Sequence, residues 1–252
     1  MSKFPTDLAI IGTGRVAEAF VSYFSKFNTL KVVVIGRNRE RLDYINRKYS
    51  VDVSVEFEKS FVDWAIVAVA DAALIEIVPK IKAEMVSITA GTVDWSSFGK
   101  HCSIFYPLQT FAYNTAIDLA KVPFILDGDT RTLNTLKLWT TKLSISTQCL
   151  SKQEREKIHV VAVFLNNFVH HVMAKGIVLA KQFDLDPNLF VALIDQTYRQ
   201  FDIQNPHLQQ TGPAVRDDQI TIDKHRKYLT EENLLLYDML TKSIKSAKYG
   251  EL

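Results

Sequence analysis

A glycine-rich turn directly after a short apolar run is the feature that most constrains how this chain can fold. Residues 8–11 are Leu-Ala-Ile-Ile, and residues 12–17 are Gly-Thr-Gly-Arg-Val-Ala. The second segment fits the pattern G-x-G-x-x-G/A, in which the first glycine makes a tight turn and the second admits a pyrophosphate. Because it follows a predicted strand and opens a predicted helix, it indicates a dinucleotide-binding site. The alternative is a glycine turn kept for packing alone.

Strand and helix patterns alternate through the first 150 residues. Short apolar runs predict further strands at 31–35, 51–55, 64–69, 85–89, 103–106, 123–126 and 144–149. Helical spacing of apolar residues predicts helices at 16–27, 39–49 and 72–82, and Pro79 should kink the last one or end it early. This alternation is typical of a doubly wound, mostly parallel sheet.

The pattern changes after residue 150. Ser151 and Glu154 form a capping box, which opens a helical pattern that extends to about residue 181. Further helices are predicted at 187–201 and 231–248, without a strand signal of comparable strength. We therefore expect an α/β Rossmann domain over residues 1–150, followed by an all-α domain over residues 151–252 that serves substrate binding and dimerisation.

Composition narrows the class of protein. A hydrophobic content of 47% excludes a disordered chain, and a formal charge of +2 is too balanced to indicate nucleic acid or an anionic membrane as partner. Cys102 and Cys149 do not make a disulfide framework, and the first residues leave no room for a signal peptide. Residues 160–180 are apolar but contain Asn, His and Lys, which favours a buried helix over a membrane span. These features predict a cytoplasmic protein.

The residues after the second strand bear on the choice of cofactor. Residues 35–39 are Ile-Gly-Arg-Asn-Arg, with no acidic side chain where an NAD site usually has one for the ribose hydroxyls. Arg37 can pair with a 2′-phosphate and Asn38 can donate to it, which favours NADP. The alternative is a solvated basic helix start.

The remaining cofactor contacts follow from the fold. We expect the pyrophosphate on the backbone of Gly12, Thr13, Gly14, Arg15 and Val16, at the start of the first helix. The small residues Ala70, Thr89 and Gly91 follow the fourth and fifth strands, where a ribose and nicotinamide would lie.

A polar stripe lies on the long helix that begins at Ser151. At 100° per residue, Arg155, His159, Asn166 and His170 share one face. His159 or His170 could supply a proton to a reduced carbonyl or imine, and Asn166 could orient the substrate. On the same wheel Asn167 points away and is expected at a packing surface or interface. The alternative is that the stripe is structural, bonding within itself or to a neighbouring subunit.

Two loop residues are candidate substrate ligands. Gln109 lies in the segment 106–111, which follows a strand end and should lie near the crevice of the sheet. Arg216 follows the turn residues 211–214 and could bind an anionic group, although a salt bridge with Asp217 is an equal alternative. No metal site is expected, because the histidines lack a carboxylate or cysteine at ligand spacing.

These segments resemble a family of bacterial proteins with a Rossmann-like N-terminal domain and a helical C-terminal domain of unknown function. The resemblance is carried by residues 12–17, 106–111, 155–170 and 211–217 and covers nearly the whole chain. More distantly, the layout is similar to pyrroline-5-carboxylate reductases, to NADP-linked oxidoreductases that use a deazaflavin partner, and to β-hydroxyacid dehydrogenases. The resemblance implies an NADP-binding fold and a helical domain that forms a homodimer.

Two departures limit what the resemblance implies about mechanism. Hydroxyacid dehydrogenases use a lysine on the corresponding long helix, but Lys157 and Lys175 project away from the polar stripe. Tyr106 stands where relatives more often have histidine before Pro107. A lysine-based mechanism is therefore not expected.

Two hypotheses for function follow. The first is an NADP-dependent oxidoreductase that transfers hydride to or from a small polar carbonyl, hydroxyl or imine substrate between the two domains. The second is a non-catalytic NADP-binding sensor or assembly protein, whose helical half is an interaction surface. A dinucleotide-binding fold alone does not separate them.

Overall fold

The computed structural model describes residues 4–56, 61–112 and 117–248. By internal contacts the chain forms two compact units, Met1–Asn167 and Phe168–Leu252. The boundary predicted at residue 151 was drawn from the change from α/β to helical structure, and not from internal contacts. As a boundary between functional domains it stays a prediction.

Among the described residues of the first unit, eight strands and five α-helices begin. The strands are β1 (Asp7–Ile11), β2 (Lys31–Ile35), β3 (Asp52–Ser54), β4 (Val62–Val67), β5 (Ala83–Ile88), β6 (Cys102–Pro107), β7 (Phe124–Gly128) and β8 (Thr147–Cys149). The helices are α1 (Arg15–Phe24), α2 (Arg39–Tyr49), α3 (Leu74–Ile77), α4 (Thr130–Lys142) and α5 (Lys152–Ala162).

All eight strands form one sheet in the order β3-β2-β1-β4-β5-β6-β7-β8. Every neighbouring pair is parallel except β6 and β7, which are antiparallel. The doubly wound, mostly parallel sheet is therefore confirmed. Because the strand order reverses between β1 and β4, a crevice opens at the carboxyl ends of these two strands.

Apolar side chains cover both faces of the sheet, as a parallel sheet requires. On one face α1 contributes Phe20 and Phe24, which pack with Trp64 of β4. On the other face a second cluster gathers alternate residues of β1, β4 and β5 with α3. Residues pointing in opposite directions along each strand thus enter different cores, which is why these strands read as unbroken apolar runs.

The helix predicted at 72–82 ends early, as expected from Pro79: α3 ends at Ile77, and Val78–Lys80 forms a 3₁₀ turn around Pro79. The helix α4 was not predicted from the sequence. Asp129 caps it by accepting a hydrogen bond from the Thr132 backbone N–H at 2.8 Å, and Leu136 and Trp139 bury its apolar face.

The long helix Lys152–Gln182 starts where the sequence predicts. Ser151 and Glu154 form both halves of the capping box. After α5 the backbone adopts a π-helical turn at Val163–Phe168, and α6 (Val169–Gln182) continues it. The second unit also contains α7 (Val191–Arg199), α8 (Gln219–Arg226), which was not predicted, and α9 (Glu231–Lys248).

The prediction that this long helix is buried is wrong for the single chain. Val160, Phe164 and Leu165 are each more than half exposed. By length and composition this is the one described helix that could cross a membrane, which is weak evidence because helices of soluble proteins pass the same test.

Ser151→Ala should lower the stability of the protein by about 1 kcal/mol, because the α5 N-terminus loses its cap. For a chain of this size that corresponds to a fall in Tm of about 2–4 °C. Differential scanning calorimetry would measure it. Ser151→Thr, which keeps the capping hydroxyl, should retain most of the stability, and an equal loss in both variants would contradict the role of the cap.

Candidate functional site

A cavity of about 1350 Å³, which we call the crevice, lies within the first unit at the carboxyl ends of the central strands. Most of the residues predicted from the sequence line it. They are Gly12, Thr13, Gly14, Arg15, Val16, Arg37, Asn38, Ala70, Thr89, Gln109, His159 and Asn166. The crevice thus brings the predicted phosphate turn and two of the three predicted catalytic residues into one space.

The glycine turn has the geometry that a phosphate-binding turn needs. Gly12 has φ of +127°, and a Cβ there would lie 2.3 Å from the carbonyl oxygen of Ala68, so only glycine fits. At Gly14 a Cβ would meet nothing within 4 Å and would only fill the open space in front of α1. Ala17 is completely buried where α1 packs on the sheet. The turn therefore fits the pyrophosphate of a dinucleotide.

The rim beyond β2 is basic. Arg37 is exposed and makes no side-chain hydrogen bond within the described residues 4–56, 61–112 and 117–248. Asn38 caps α2, because its Oδ1 accepts from the Arg41 backbone N–H at 3.0 Å. Its carbonyl oxygen is therefore engaged in the helix cap, which leaves its NH₂ group as the donor predicted for a phosphate.

Arg41 lines the same rim but is held by the protein. Its Nε donates to the Thr13 carbonyl oxygen at 3.3 Å, and its Nη2 pairs with Glu18 Oε2 at 2.6 Å. Burial alone would raise the pKa of the Glu18 carboxyl, but hydrogen bonds from Arg41, Lys48 and Tyr49 outweigh it and lower that pKa. The carboxylate is thus ionised at neutral pH.

The opposite wall of the crevice comes from β6 and the long helix. Tyr106 lies at the end of β6, and its ring centroid is 6.5 Å from that of His159. Burial raises the pKa of the Tyr106 hydroxyl, so this group remains a protonated donor at neutral pH. The segment 106–111 was expected near the crevice, and Tyr106, Gln109 and Phe111 all line it.

Asn167 also lines the crevice, which corrects the prediction that it points away. The π-helical turn at Val163–Phe168 is the reason. A π turn is wider than an α turn, so the rotation of 100° per residue does not hold through it. As a result, the consecutive residues Asn166 and Asn167 both reach the crevice. Both side chains are exposed, as are those of His159 and His170, so Arg155 is the one member of the predicted polar stripe that is buried in the single chain.

Arg155 has a role that the helical pattern did not indicate. Its side chain is completely buried and pairs with Asp127 Oδ2 through Nη2 at 2.9 Å and Nε at 3.3 Å. Its Nη1 donates to the Gly91 carbonyl oxygen, and its Nη2 donates to that of Val93 at 3.0 Å. Arg155 therefore joins the start of α5 to β7 and to the loop after β5, and it does not face the crevice with His159.

Three other predicted site residues do not line the crevice, namely Gly91, His170 and Arg216. The ring of Tyr106 packs over Gly91, where a Cβ would lie 3.0 Å from the ring. His170 and Arg216 belong to the second unit, in which both are exposed. Asp217, the alternative partner considered for Arg216, pairs with Lys245 at 2.8 Å. Among the described residues, no group of three His, Cys, Asp or Glu side chains could hold a metal ion.

Two family models match parts of the chain. Residues 7–91 match the family described as NADP oxidoreductase, coenzyme F420-dependent. Residues 122–244 match a domain of unknown function, DUF2520. No curated protein matches the chain.

Solved structures match over nearly the whole length. A candidate NADP oxidoreductase from Bacteroides fragilis is 27% identical with a TM-score of 0.86, over 96% of this chain and 98% of that chain. A protein of Thermotoga maritima is 20% identical with a TM-score of 0.68, over 97% and 99%. The 1-pyrroline-5-carboxylate reductase of Streptococcus pyogenes is 13% identical with a TM-score of 0.61, over 95% and 98%.

The two family models match successive parts of the chain. The chain combines an N-terminal domain of the NADP-oxidoreductase type with the helical C-terminal domain of unknown function that the sequence resemblance predicted. The two more distant structures show the shared fold alone. The family description of residues 7–91 names NADP, and the glycine turn of the crevice has a geometry that fits a dinucleotide.

Arg155→Met should lower the free energy of unfolding by about 3 kcal/mol or more, because it removes one partner of a buried ion pair and leaves Asp127 uncompensated. Urea denaturation would measure this loss. The matched control is Lys152→Met on the same helix, since Lys152 pairs with Asp94 at 3.6 Å and both side chains are exposed. That change should cost about 1 kcal/mol or less. Equal losses would contradict the role of Arg155 as a buried anchor.

Proposed function

We propose that the protein is an NADP-dependent oxidoreductase that acts on a small polar carbonyl, hydroxyl or imine compound. The observation that carries this proposal is the lining of the crevice. Arg15, Arg37 and Arg41 line it, and no Asp or Glu is among its described lining residues. A wall that has three cations and no carboxylate favours an anionic ligand, and a 2′-phosphorylated dinucleotide carries more negative charge than NAD.

Arg37 supports NADP over NAD in particular. Its guanidinium is exposed and has no hydrogen-bonded partner among the described side chains, so it can form a bidentate pair with a phosphate without breaking a contact. Asn38 stands beside it with its NH₂ group as a second donor. The glycine turn then takes the pyrophosphate, and Ala70 and Thr89 leave room for the ribose and nicotinamide.

The bound cofactor would supply or accept a hydride, and the chain would bind and orient the substrate. His159 lines the crevice and is exposed, so its imidazole can deliver a proton to the atom that is reduced, or remove one in the reverse direction. Asn166 and Gln109 present amide groups that can orient a polar substrate by donating and accepting hydrogen bonds. On the second unit, His170 remains a predicted proton donor and Arg216 a predicted ligand for an anionic group of the substrate.

The first test is cofactor preference, measured by titration calorimetry with NADPH, NADP, NADH and NAD. We expect tight binding of the two phosphorylated cofactors only. Arg37→Met should weaken NADPH binding about ten- to a hundredfold, because a hydrogen bond to a charged group contributes about 1.5–3 kcal/mol. Its effect on NADH should be small.

Arg39→Met is the matched control for this test. Arg39 is exposed at the start of α2 and does not line the crevice, yet its removal changes the net charge equally. NADPH binding should be retained in this variant. Equal affinity of the unaltered protein for NADH and NADPH would contradict the NADP assignment, and binding of neither would contradict the oxidoreductase.

A second test separates the enzyme from a non-catalytic NADP-binding protein. Oxidation of NADPH would be followed by absorbance against a panel of carbonyl and imine compounds, and with coenzyme F420 as an alternative acceptor. With any active compound, His159→Gln should lower turnover about a hundredfold or more, the range of general acid catalysis, while NADPH affinity stays unchanged. An active panel with an unaffected variant would exclude His159 as the proton donor.

We also propose that the protein forms a cytoplasmic homodimer through its helical half. In the second unit, Val178, Leu189, Val191 and Leu193 are each exposed by 49% or more. An abundance of large exposed apolar side chains is typical of protein interfaces. Sedimentation velocity should therefore give twice the chain mass of 28.7 kDa. A monomer at micromolar concentration would contradict this assembly.

A further inference from the structure

One carboxylate outside the crevice receives an unusual number of donors. Glu18 lies in the first turn of α1, and its Oε2 pairs with Arg41 at 2.6 Å. Its Oε1 accepts from Lys48 Nζ at 3.1 Å, from Tyr44 at 3.2 Å and from Tyr49 at 3.1 Å. All four donors come from α2. We call these five residues the Glu18 cluster.

Within this cluster, Arg41 alone lines the crevice. Its guanidinium is committed at two nitrogens, because Nε donates to Thr13 and Nη2 to Glu18. These two bonds leave three of its five N–H donors but fix the position of the guanidinium. Arg41 therefore presents to an anion a positive charge that is held in place beside the glycine turn, whereas Arg37 is free to adjust its position.

The ion pair with Glu18 would by itself weaken the positive charge that Arg41 presents to the crevice. An ionised carboxylate 2.6 Å from a guanidinium leaves the pair close to neutral when seen from the crevice. Lys48 changes this balance, because its ammonium group shares the same carboxylate. With one negative and two positive groups, the Glu18 cluster keeps a net charge of +1. Lys48 also lies 5.1 Å from the ring centroids of Tyr44 and Tyr49, which hold it in place.

We propose that Lys48 is a specificity-determining residue that acts from outside the crevice. By sharing the Glu18 carboxylate, it preserves the positive charge that Arg41 presents to a phosphorylated cofactor. This inference rests on the proposed NADP function and deepens it. The alternative is a purely structural cluster that clamps α2 onto α1, and the two differ in what they predict for cofactor preference.

The test is the ratio of the dissociation constants for NADH and NADPH, measured by titration at roughly 20 mM salt and again at roughly 0.5 M salt. A ratio cancels any loss of folded protein or of general nucleotide affinity. Lys48→Met should lower the ratio about three- to fivefold at low salt, because the Glu18 cluster then loses its net charge of +1 beside the rim. At high salt the difference should disappear, because exposed charges are screened.

Three further variants make the test specific. Lys48→Arg keeps the charge and should keep the ratio within twofold. Arg47→Met removes the same charge from the neighbouring exposed position, which makes no contact with Glu18 in the described structure, and should also keep it. The double variant Glu18→Gln with Lys48→Met again leaves a cluster charge of +1, so its ratio should return to within twofold of the unaltered protein.

Three results would overturn the inference. One is an unchanged ratio in Lys48→Met together with a lower Tm, which is the behaviour of a clamp. Another is an equal fall in Arg47→Met, which would show an effect of net charge alone. The third is failure of the double variant to recover. If instead the unaltered protein does not prefer NADPH, the proposed cofactor fails, and that outcome is visible before any variant is made.

Discussion

The contact between Gly12 and the carbonyl oxygen of Ala68 is the constraint on which the rest of the site depends. A side chain at Gly12 would overlap that oxygen, and the backbone there has a positive φ that other residues rarely adopt. The turn can therefore pass directly over the end of β4 at the point where the strand order reverses. This path starts α1 at Arg15, with its N-terminus facing the crevice and Ala17 buried against the sheet. Without the close approach, the helix dipole and the backbone N–H groups would not be directed at a ligand.

From this turn the charges of the crevice are arranged through α1 and α2. Glu18 follows the turn by one helical step, and it accepts hydrogen bonds from four residues of α2. The same contacts therefore fix the angle between two helices and fix Arg41 on the rim. Arg37, which precedes α2, takes no part in them. On the rim, Arg41 is therefore held in place before a ligand binds, whereas Arg37 is free to adjust. Arg41 would attract an anion by its charge, and Arg37 would recognise it by hydrogen bonds.

Local signals in the sequence were sufficient for the sheet, for the glycine turn and for the cap at Ser151. Each depends on residues adjacent along the chain, such as an apolar run that ends at glycine. What could not be predicted depends on contacts between distant residues or on irregular backbone. Asn167 was assigned to the wrong face because a helical wheel assumes a constant rotation, which the π turn at Val163–Phe168 breaks. Arg155 was grouped with His159 because nothing local indicates that Asp127 and Gly91, 28 and 64 positions away, would surround it.

The position of His159 follows from Arg155, one helical turn before it. Arg155 is anchored to the loop after β5 through Gly91 and Val93 and to β7 through Asp127. The Tyr106 ring packs over Gly91 on the crevice side and lies near the imidazole of His159. A buried charged network therefore sets the distance between the wall that would hold the nicotinamide and the helix that carries the proposed proton donor. Since a buried arginine is stable only when its donors are satisfied, a shift of this helix relative to the sheet would leave a charge unpaired. The network thus explains how an exposed helix face can still hold the imidazole of His159, the proposed proton donor, at a defined place.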